Sequence, residues 1–293
     1  MSNDIRMSIR RMLSESKYLM AEGPNDPGIF KAIFLSGCPG SGKGSVLRAT
    51  LGTISKSTTP QGLKIVNLDH MYELLLKKQG LGLVDPGGKS KESVEIMSTE
   101  EQEAYKKEKS EYRSAAGKSM ALANKRMTGG PTGIDPEKIG LDRKDYGMKP
   151  SRKLGRKNRS ALEIYIDNRM GIVIDGTASN FNKVAREKKI LEDLGYETMM
   201  ISVDIPIETA IERNIERGKQ GGRTIPRIPL IKTCEKVKLA IPKYQELFGS
   251  DFIIIDNTKK IQDAVTPQVL KKVNSFLARS ISSTSAISWL NKE

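Results

Sequence analysis

A glycine-rich turn near the start of the chain carries residue types that can hold a chain of phosphates. Gly37, Gly40, Gly42 and Gly44 surround Lys43. Because glycine has no Cβ atom, the backbone N–H groups of such a turn can all point inward around a phosphate group. Lys43 adds a mobile positive charge that can reach the outer phosphates. The pattern therefore predicts a loop that binds a nucleoside triphosphate.

The sequence on both sides of this turn agrees with that prediction. An apolar run, Ile33–Leu35, precedes it and is typical of a buried parallel strand, while Val46 and Leu47 follow at helical spacing. Strand, glycine-rich turn and helix are the context that the pattern G-x-x-x-x-G-K requires. Glycine follows Lys43 directly, so Ser45 is the candidate hydroxyl ligand of Mg²⁺. The candidate nucleotide-binding residues of the loop are Gly37, Cys38, Pro39, Gly40, Ser41, Gly42, Lys43, Gly44 and Ser45.

Two acidic residues that follow later apolar runs are candidates for the chemistry. Asp69 follows the second predicted strand, 63–68, and Asp175 ends the third, which begins at Gly171. Ligands of open α/β sheets bind beyond the carboxyl ends of the strands, where both acids are expected to face the phosphate loop. We expect Asp175 to bind Mg²⁺ and Asp69 to orient or deprotonate an attacking hydroxyl. Capping of the next helix is the alternative role of Asp69.

Three arginines in the second half of the chain are candidates for neutralising the phosphates. Arg213 and Arg217 are four residues apart in a predicted helix, 207–216, and so share one helix face. Arg223 lies in the loop 218–229, which we expect to close over the phosphates as a lid. The alternative for each arginine is an exposed position without a ligand. Three arginines close to one loop favour phosphate binding, because the guanidinium fork matches phosphate oxygens.

Strands and helices alternate along most of the chain. Further apolar runs at 197–203 and 252–255 predict the fourth and fifth strands, with helices at 159–168, 181–194 and 230–248. Such alternation indicates an α/β domain with a parallel sheet and helices on both of its faces. No apolar run approaches the length of about 20 residues that spans a membrane.

The 293 residues divide into a core domain, 29–280, an N-terminal arm, 1–28, and a serine-rich C-terminal tail, 281–293. The alternation of strands and helices stops at 80–158, between the second and third strands. This insertion is predicted to be helix and loop, and its main helix begins with a capping box at Ser98.

The net charge of +14 is concentrated in one segment of the insertion. Residues 143–159 contain eight lysines and arginines and one aspartate. This charge favours a polyanionic partner, either a phosphorylated acceptor or nucleic acid. Arg152 and Arg156 of this segment, with Thr177, are the candidate acceptor-binding residues. Tyr146 is the only aromatic residue of the segment, which gives little surface for stacking nucleic-acid bases.

The cysteine content and the N-terminal sequence favour the cytosol. Cys38 and Cys234 are the two cysteines, and they indicate neither a disulfide framework nor a metal site. The first 20 residues are of mixed charge and lack the continuous apolar stretch of a secretory signal. We therefore expect a reducing environment.

Several of these motifs resemble those of known kinases. The glycine-rich loop resembles that of adenylate kinases and related small kinases, in which the hydroxyl residue is also one position later. The run from Ile172, IVIDGTASNFNKVAREKKILEDLGYETMMISVDIPIETAIERNIERG, is similar to the second half of zeta-toxin-like kinases, and GGRTIP at 221–226 looks like their lid. Asn67-Leu68-Asp69 resembles the N-x-D that presents the base in polynucleotide 5′-kinases.

The resemblance covers 31–78 and 170–256, which are most of the core domain. It implies a P-loop NTPase fold with a five-stranded parallel sheet of order 2-3-1-4-5, and it implies ATP and Mg²⁺ as cofactors. Zeta toxins usually carry glutamate where Asp175 stands, and these families usually place an arginine shortly after the base, where this chain has Met71, Tyr72 and Glu73.

Two functions remain open from the sequence. One is a kinase that moves the γ-phosphate of ATP to a hydroxyl of a nucleotide, a nucleotide sugar or a polynucleotide end. The other is a nucleotide-gated binding protein of a larger assembly with vestigial catalysis, which the missing arginine supports. A basic insertion that only holds nucleic acid is a third possibility, and it predicts binding that weakens strongly with salt.

Overall fold

The structure is a computed structural model that describes residues 28–53, 55, 57–84, 91–149, 159–259 and 261–291. Residues 1–27 of the predicted N-terminal arm lie outside the described residues. So do Arg152 and Arg156, two of the candidate acceptor-binding residues.

Five parallel strands form one sheet in the order β2-β3-β1-β4-β5. The strands are β1 (Lys31–Gly37), β2 (Lys64–Asn67), β3 (Ile172–Asp175), β4 (Glu197–Asp204) and β5 (Phe252–Asp256). The predicted fold class and strand order are confirmed. Strand β1 lies at the centre, and all its residues are buried because helices cover both faces of the sheet. Its carboxyl end leads directly into the glycine-rich loop.

The helices pack on the two faces of this sheet. They are α1 (Lys43–Leu51), α2 (Leu68–Lys78), α3 (Lys91–Glu95), α4 (Thr99–Thr128), α5 (Ala161–Asp167), α6 (Phe181–Asp193), α7 (Ile207–Lys219), α8 (Arg227–Phe248), α9 (Ile261–Ala264), α10 (Pro267–Leu277) and α11 (Thr284–Leu290). Ile33 and Leu35 face a core closed by α1 and α10, whereas Ala32 and Phe34 face a larger core closed by α2, α4, α5, α6 and α8. Among the described residues, no helix is long and apolar enough to cross a membrane.

Two predicted boundaries differ from the structure. Helix α7 continues to Lys219 and α8 begins at Arg227, so the lid loop comprises 220–226 only. The segment predicted as a serine-rich tail contains α11, in which Ala286 is buried and the Trp289 ring lies 5.7 Å from that of Phe30. Apolar residues at helical spacing explain this helix, because they let the segment cover the amino end of β1.

The described part of the insertion is helical and contains no strand. Helix α4 begins with the predicted capping box, in which Ser98 Oγ accepts from the Glu101 amide and the Glu101 carboxylate accepts from the Ser98 amide. This helix packs against α2 and α5, so the insertion is fixed to the core close to the second and third strands.

Two buried glutamates fasten the chain after α4 to the core. Glu163 of α5 accepts from the Asp135 amide at 3.1 Å and pairs with Lys138 at 3.2 Å. Glu187 of α6 is buried and, among the described residues, pairs with Lys183 at 3.8 Å and has a hydrogen bond with the backbone of Ile134. Burial raises the pKa of Glu187, and the charge of Lys183 opposes that shift only in part. The raised pKa of Glu187 therefore makes the protein less stable at neutral pH than in acid, as far as this group is concerned.

Glu187→Gln is expected to stabilise the protein at pH 7.5 by about 1 kcal/mol, which raises Tm by about 2–4 °C for a domain of this size. Since the pKa of Glu187 is higher in the folded than in the unfolded state, the wild type gains relative stability as the pH falls through the folded-state pKa. The difference in Tm between Glu187→Gln and the wild type should thus disappear in acid. Thermal melts between pH 4 and pH 8 measure it, with the exposed Glu103→Gln as the control. A lower Tm of Glu187→Gln at pH 7.5 would contradict the prediction.

The described part of the basic segment packs along α6, away from the glycine-rich loop. Arg143 pairs with Asp135 at 2.7 Å, and the Tyr146 hydroxyl donates to Asp193 at 2.9 Å. Asp193 ends α6, which starts after the carboxyl end of β3 and returns to the amino end of β4. Residues 143–149 therefore lie toward the amino edge of the sheet, and aspartates neutralise part of their charge.

Candidate functional site

A cavity of about 570 Å³ lies at the carboxyl edge of the sheet. The glycine-rich loop, the ends of β2 and β3 and the lid loop enclose it. Most of the predicted site residues meet there, namely Pro39, Gly40, Gly42, Lys43, Gly44, Asp69, Asp175, Thr177, Arg213, Arg217 and Arg223. Gly37, Cys38, Ser41 and Ser45 belong to the same loop and helix start but are not among the residues that line the cavity.

The glycine-rich loop makes a turn that requires glycine at two positions. Gly40 and Gly42 have φ angles of +87° and +84°, in the left-handed region. A Cβ atom at Gly40 would lie 2.7 Å from the carbonyl oxygen of Ala210, and one at Gly42 would collide with the Asn257 amide. Gly42 also precedes α1, so the amino end of this helix, with its partial positive charge, faces the cavity.

Lys43 is the first residue of α1, and its side chain reaches back to the start of the glycine-rich loop. Its Nζ donates to the carbonyl oxygens of Gly37 at 2.9 Å and Cys38 at 3.1 Å. Burial lowers the pKa of Lys43, while the nearby carboxylates of Asp175 and Asp69 oppose that shift. The ammonium group is therefore held at the loop by carbonyl oxygens and faces two anions across the cavity.

Asn67, the last residue of β2, binds Asp175 and also the first turn of α2, which carries Asp69. Its Nδ2 donates to Oδ2 of Asp175 at 2.6 Å, and its Oδ1 accepts from the His70 amide at 3.2 Å. Asn67 is thus the cap of α2, so the capping alternative for Asp69 is wrong, and Asp69 projects from the first turn of the helix. Burial raises the pKa of Asp175, and the charge of Lys43 opposes this. The motif Asn67-Leu68-Asp69 contains Asn67 but does not by itself identify it as a residue that holds Asp175; its place at the end of β2 was the available signal.

The lid reaches the opposite side of the cavity through Arg223. Its Nη2 pairs with Oδ1 of Asp69 at 2.7 Å, and the Arg223 side chain is 11% exposed against 53% for Asp69. Asn214 of α7 holds the lid loop by two hydrogen bonds of 2.9 Å, one to the carbonyl and one from the amide of Ile225. The loop therefore adopts a defined position over Asp69.

Two of the three candidate arginines have unused donors inside the cavity wall. The Nε atoms of Arg217 and Arg223 are buried and have no hydrogen-bond partner among the described residues. Burial lowers the pKa of Arg217, and the neighbouring Arg223 lowers it further. Buried guanidinium donors are normally paired, so this arrangement fits an anionic ligand.

Arg213 and Asn257 support the glycine-rich loop from the side of β5. Asn257 directly follows β5, is buried, and donates from Nδ2 to the carbonyl oxygen of Ser41 at 2.7 Å. Its own carbonyl accepts from Arg213 Nη2 at 2.9 Å. Sequence reasoning did not identify Asn257, because nothing local in the sequence indicates contact with a loop more than 200 residues earlier.

The segment after β3 brings two hydroxyl groups to the cavity. Thr177 and Ser179 line it, with their Oγ atoms 3.2 Å apart. Ala178 between them has a φ angle of +53°, which is rare for alanine, and its carbonyl accepts from the buried Tyr244 hydroxyl at 2.6 Å. The Thr177 carbonyl accepts from the Gly37 amide at 3.3 Å, which ties this segment to the glycine-rich loop.

The donor set of the cavity suits Mg²⁺ that arrives with a nucleotide. Among the described residues, no group of three or more His, Cys, Asp and Glu side chains could hold a metal ion. Mg²⁺ commonly takes one or two protein carboxylates together with phosphate oxygens and water. Asp175, which Asn67 orients, can supply such a carboxylate. The Ser45 hydroxyl, the other candidate ligand, accepts from Arg48 at 3.3 Å.

A disulfide joins Cys38 of the loop to Cys234 of α8, with the Cα atoms 4.8 Å apart. The prediction that these cysteines form no disulfide is therefore wrong. The two residues are 196 positions apart in the sequence and meet because α8 packs beneath the loop. Both cysteines are buried with Ile205 and Leu230 in a small apolar cluster.

Unreduced, denatured protein is expected to contain no free thiol and to yield two thiols after reduction with dithiothreitol, as thiol titration and mass spectrometry would show. Reduction should lower the free energy of unfolding by about 2–4 kcal/mol, because it releases a long closed loop in the unfolded chain. Cys234→Ser is the control, since its stability should not respond to the reductant. Two reactive thiols in the unreduced protein would contradict the bond.

Comparison with known protein families gives one match. Residues 139–264 match the family model described as "Zeta toxin". The match includes β3, the lid, β4 and β5, and it confirms the predicted resemblance to zeta-toxin-like proteins. A comparison with curated proteins finds no match.

Proposed function

Because residues 139–264 are zeta-toxin-like, and that family is P-loop-kinase-like, we propose that this chain is a kinase that transfers the γ-phosphate of ATP to a hydroxyl group. The observation that carries the proposal is the meeting of Lys43, Asp175, Asp69 and the lid arginines around one cavity at the carboxyl edge of the sheet. A nucleotide-dependent phosphotransferase is the general class that the family supports. The identity of the donor and the roles below are our proposals.

The donor phosphates would lie against the glycine-rich loop. Its inward-facing amides, the amino end of α1 and Lys43 bind the β- and γ-phosphates. Arg217 and Arg223 supply guanidinium donors from the opposite wall. Asp175 and the Ser45 hydroxyl would hold Mg²⁺, which would supply neutralisation of the triphosphate charge when bound. Transfer then depends on positioning and electrostatic stabilisation, since the reaction needs no covalent enzyme intermediate.

Asp69 is the proposed general base. An acceptor hydroxyl within hydrogen-bond reach of its carboxylate gives up its proton to Asp69 while its oxygen bonds to the γ-phosphorus. The bond from that phosphorus to the β–γ bridging oxygen breaks, and ADP leaves. Arg223, which contacts Asp69, lies where charge develops on the transferred group, and closure of the lid keeps water away from it.

We propose that the acceptor is a nucleotide, a nucleotide sugar or a polynucleotide end. The Nε donors of Arg217 and Arg223, which have no partner in the part of the chain that the structure describes, and the Thr177 and Ser179 hydroxyls suit an acceptor that carries phosphate and hydroxyl groups. None of the described residues of the basic segment 143–159 lines the cavity. A contribution of this segment to acceptor binding, including nucleic-acid binding by Arg152 and Arg156, therefore rests on its charge alone.

The experiment incubates the protein with γ-labelled ATP, Mg²⁺ and three panels of acceptors: nucleotides, nucleotide sugars, and DNA or RNA with 5′-hydroxyl ends. Label that moves to members of one panel, and only with Mg²⁺, supports the kinase and names the acceptor class. ATP binding without label transfer to any panel would favour the alternative, a nucleotide-gated binding protein.

A further inference from the structure

We propose that Tyr72 is a positioning residue that holds the lid arginine Arg223 beside Asp69. The inference rests on the proposed function and adds to it a residue that neither the loop motif nor the family match identifies. The guanidinium carbon of Arg223 lies 5.3 Å from the centre of the Tyr72 ring, over its face. Nη2 of the same group lies 2.7 Å from the Asp69 carboxylate.

One turn of α2 supplies both contacts. Asp69 and Tyr72 are three residues apart, so their side chains lie on neighbouring parts of one helix face. Tyr72 is buried, at 8% exposure, so its ring cannot turn away and presents a fixed surface. Asp69 is half exposed, so its carboxylate is less enclosed by neighbouring side chains than the Tyr72 ring. The Tyr72 ring therefore sets the position of the Arg223 guanidinium group, and the Asp69 carboxylate sets how that group is rotated over the ring.

The backbone of the lid does not by itself fix the direction of the Arg223 side chain, which depends on side-chain contacts. Gly221 and Gly222 precede Arg223, and Gly221 has a left-handed φ of +76°. The two hydrogen bonds of Asn214 fix the loop at Ile225, two residues further on. Before Arg223, the amides of Gly221 and Gly222 donate to the carbonyl oxygens of Gly218 at 3.0 Å and Arg217 at 2.9 Å, so the backbone is fixed on both sides of Arg223. The direction of the Arg223 side chain on this fixed backbone depends on what the side chain touches.

An aromatic partner also preserves the charge that the proposed reaction needs. A second carboxylate would hold Arg223 equally well but would neutralise it and compete with phosphate for its donors. A ring attracts the cation through its quadrupole and uses none of the N–H groups. Nε of Arg223 has no hydrogen-bond partner among the described residues, as expected for a donor held ready for an anion.

The first test measures how accessible Arg223 of the lid is to trypsin, and it does not require enzymatic activity. Trypsin cuts after Arg223 only when its side chain leaves Tyr72, whereas Lys219, whose side chain is 71% exposed, gives a reference cut in the same chain. Mass spectrometry of short digests gives the ratio of the two cuts. Tyr72→Leu should raise this ratio about threefold or more through loss of the cation–π contact. Tyr72→Phe keeps the ring and should retain the wild-type ratio. Tyr72→Met, a second flexible apolar replacement, repeats the test if the leucine variant does not fold.

The second test uses whichever acceptor panel accepts label. Tyr72→Leu should lower kcat by about 3- to 30-fold with little change in the Kd for ATP, and Tyr72→Phe should restore kcat. Equal behaviour of the phenylalanine and leucine variants, or an unchanged cleavage ratio in Tyr72→Leu, would overturn the inference while leaving the proposed function intact. If no acceptor is ever labelled, the proposed function fails. The cleavage ratio still shows whether Tyr72 holds Arg223.

Discussion

Asp69→Asn is expected to lower phosphoryl transfer by about 10²- to 10⁴-fold, the usual contribution of a positioned general base. Asparagine fills the same space at the first turn of α2 and can still accept a hydrogen bond, but it cannot take up a proton at neutral pH. Among the described residues, Asp69 pairs with Arg223 and forms no hydrogen bond with the glycine-rich loop, so binding of ATP should persist. Single-turnover transfer with γ-labelled ATP and calorimetric ATP binding, measured on the same preparation, separate the two effects.

The matched control is Glu73→Gln, which removes one negative charge from the same helix one turn further on. It should change the rate by less than about threefold, because half-exposed charges have small effects in water. If Asp69→Asn and the wild type transfer phosphate equally on every acceptor while both bind ATP, Asp69 is not the base. The nucleotide-gated binding protein would then be the better account of the chain.

The sequence predicts the parts of the site that are contiguous or that end a strand. The loop from Gly37 to Ser45 is recognisable because one short stretch contains both the glycines and the lysine. Asp69 and Asp175 are recognisable because parallel strands bring their carboxyl ends to one edge, and the structure has β2 and β3 as neighbours there. For these residues, local pattern and sheet topology are sufficient.

The residues that hold the site in place are harder to predict because their partners are distant in sequence. Asn67, Asn214 and Asn257 act through side-chain amides that bind a carboxylate or backbone groups. An asparagine near the end of a strand or in a helix can have several common roles. Only the packed structure shows which partner it binds and therefore which role it has. The same holds for Cys38 and Cys234, whose contact depends on how α8 crosses beneath the loop.

The basic segment shows the limit of reasoning from charge. Eight positive residues between 143 and 159 predict a polyanionic partner, yet Arg143 is paired with Asp135 and Tyr146 is bound to Asp193. A count of charged residues ignores their ion-pair and hydrogen-bond partners. It therefore overstates the positive charge that a segment presents when aspartates lie next to it in the fold. The position of residues 143–149 relative to the cavity follows from the path of α6 and could not be inferred from the charge.

Lys43→Ala is expected to lower transfer by about 10²- to 10³-fold, comparable to the loss of one preorganised charge donor at a transition state. The variant removes the ammonium group that faces Asp175 and Asp69, and it also removes the hydrogen bonds to the carbonyls of Gly37 and Cys38. Those carbonyls would then face the phosphates without a compensating charge. ATP binding should weaken together with kcat, in contrast to Asp69→Asn, and calorimetry with ATP and Mg²⁺ measures this difference.

Lys238→Ala is the control for loss of a lysine, because Lys238 pairs with Asp204 at 2.8 Å and does not line the cavity. It should leave both ATP binding and transfer close to wild type. Retention of full transfer in Lys43→Ala would exclude the glycine-rich loop as the phosphate site. If binding of nucleic acid survives Lys43→Ala and weakens steeply with salt, the basic segment acts independently of the nucleotide. That result would separate the partner of the segment from the acceptor of the proposed reaction.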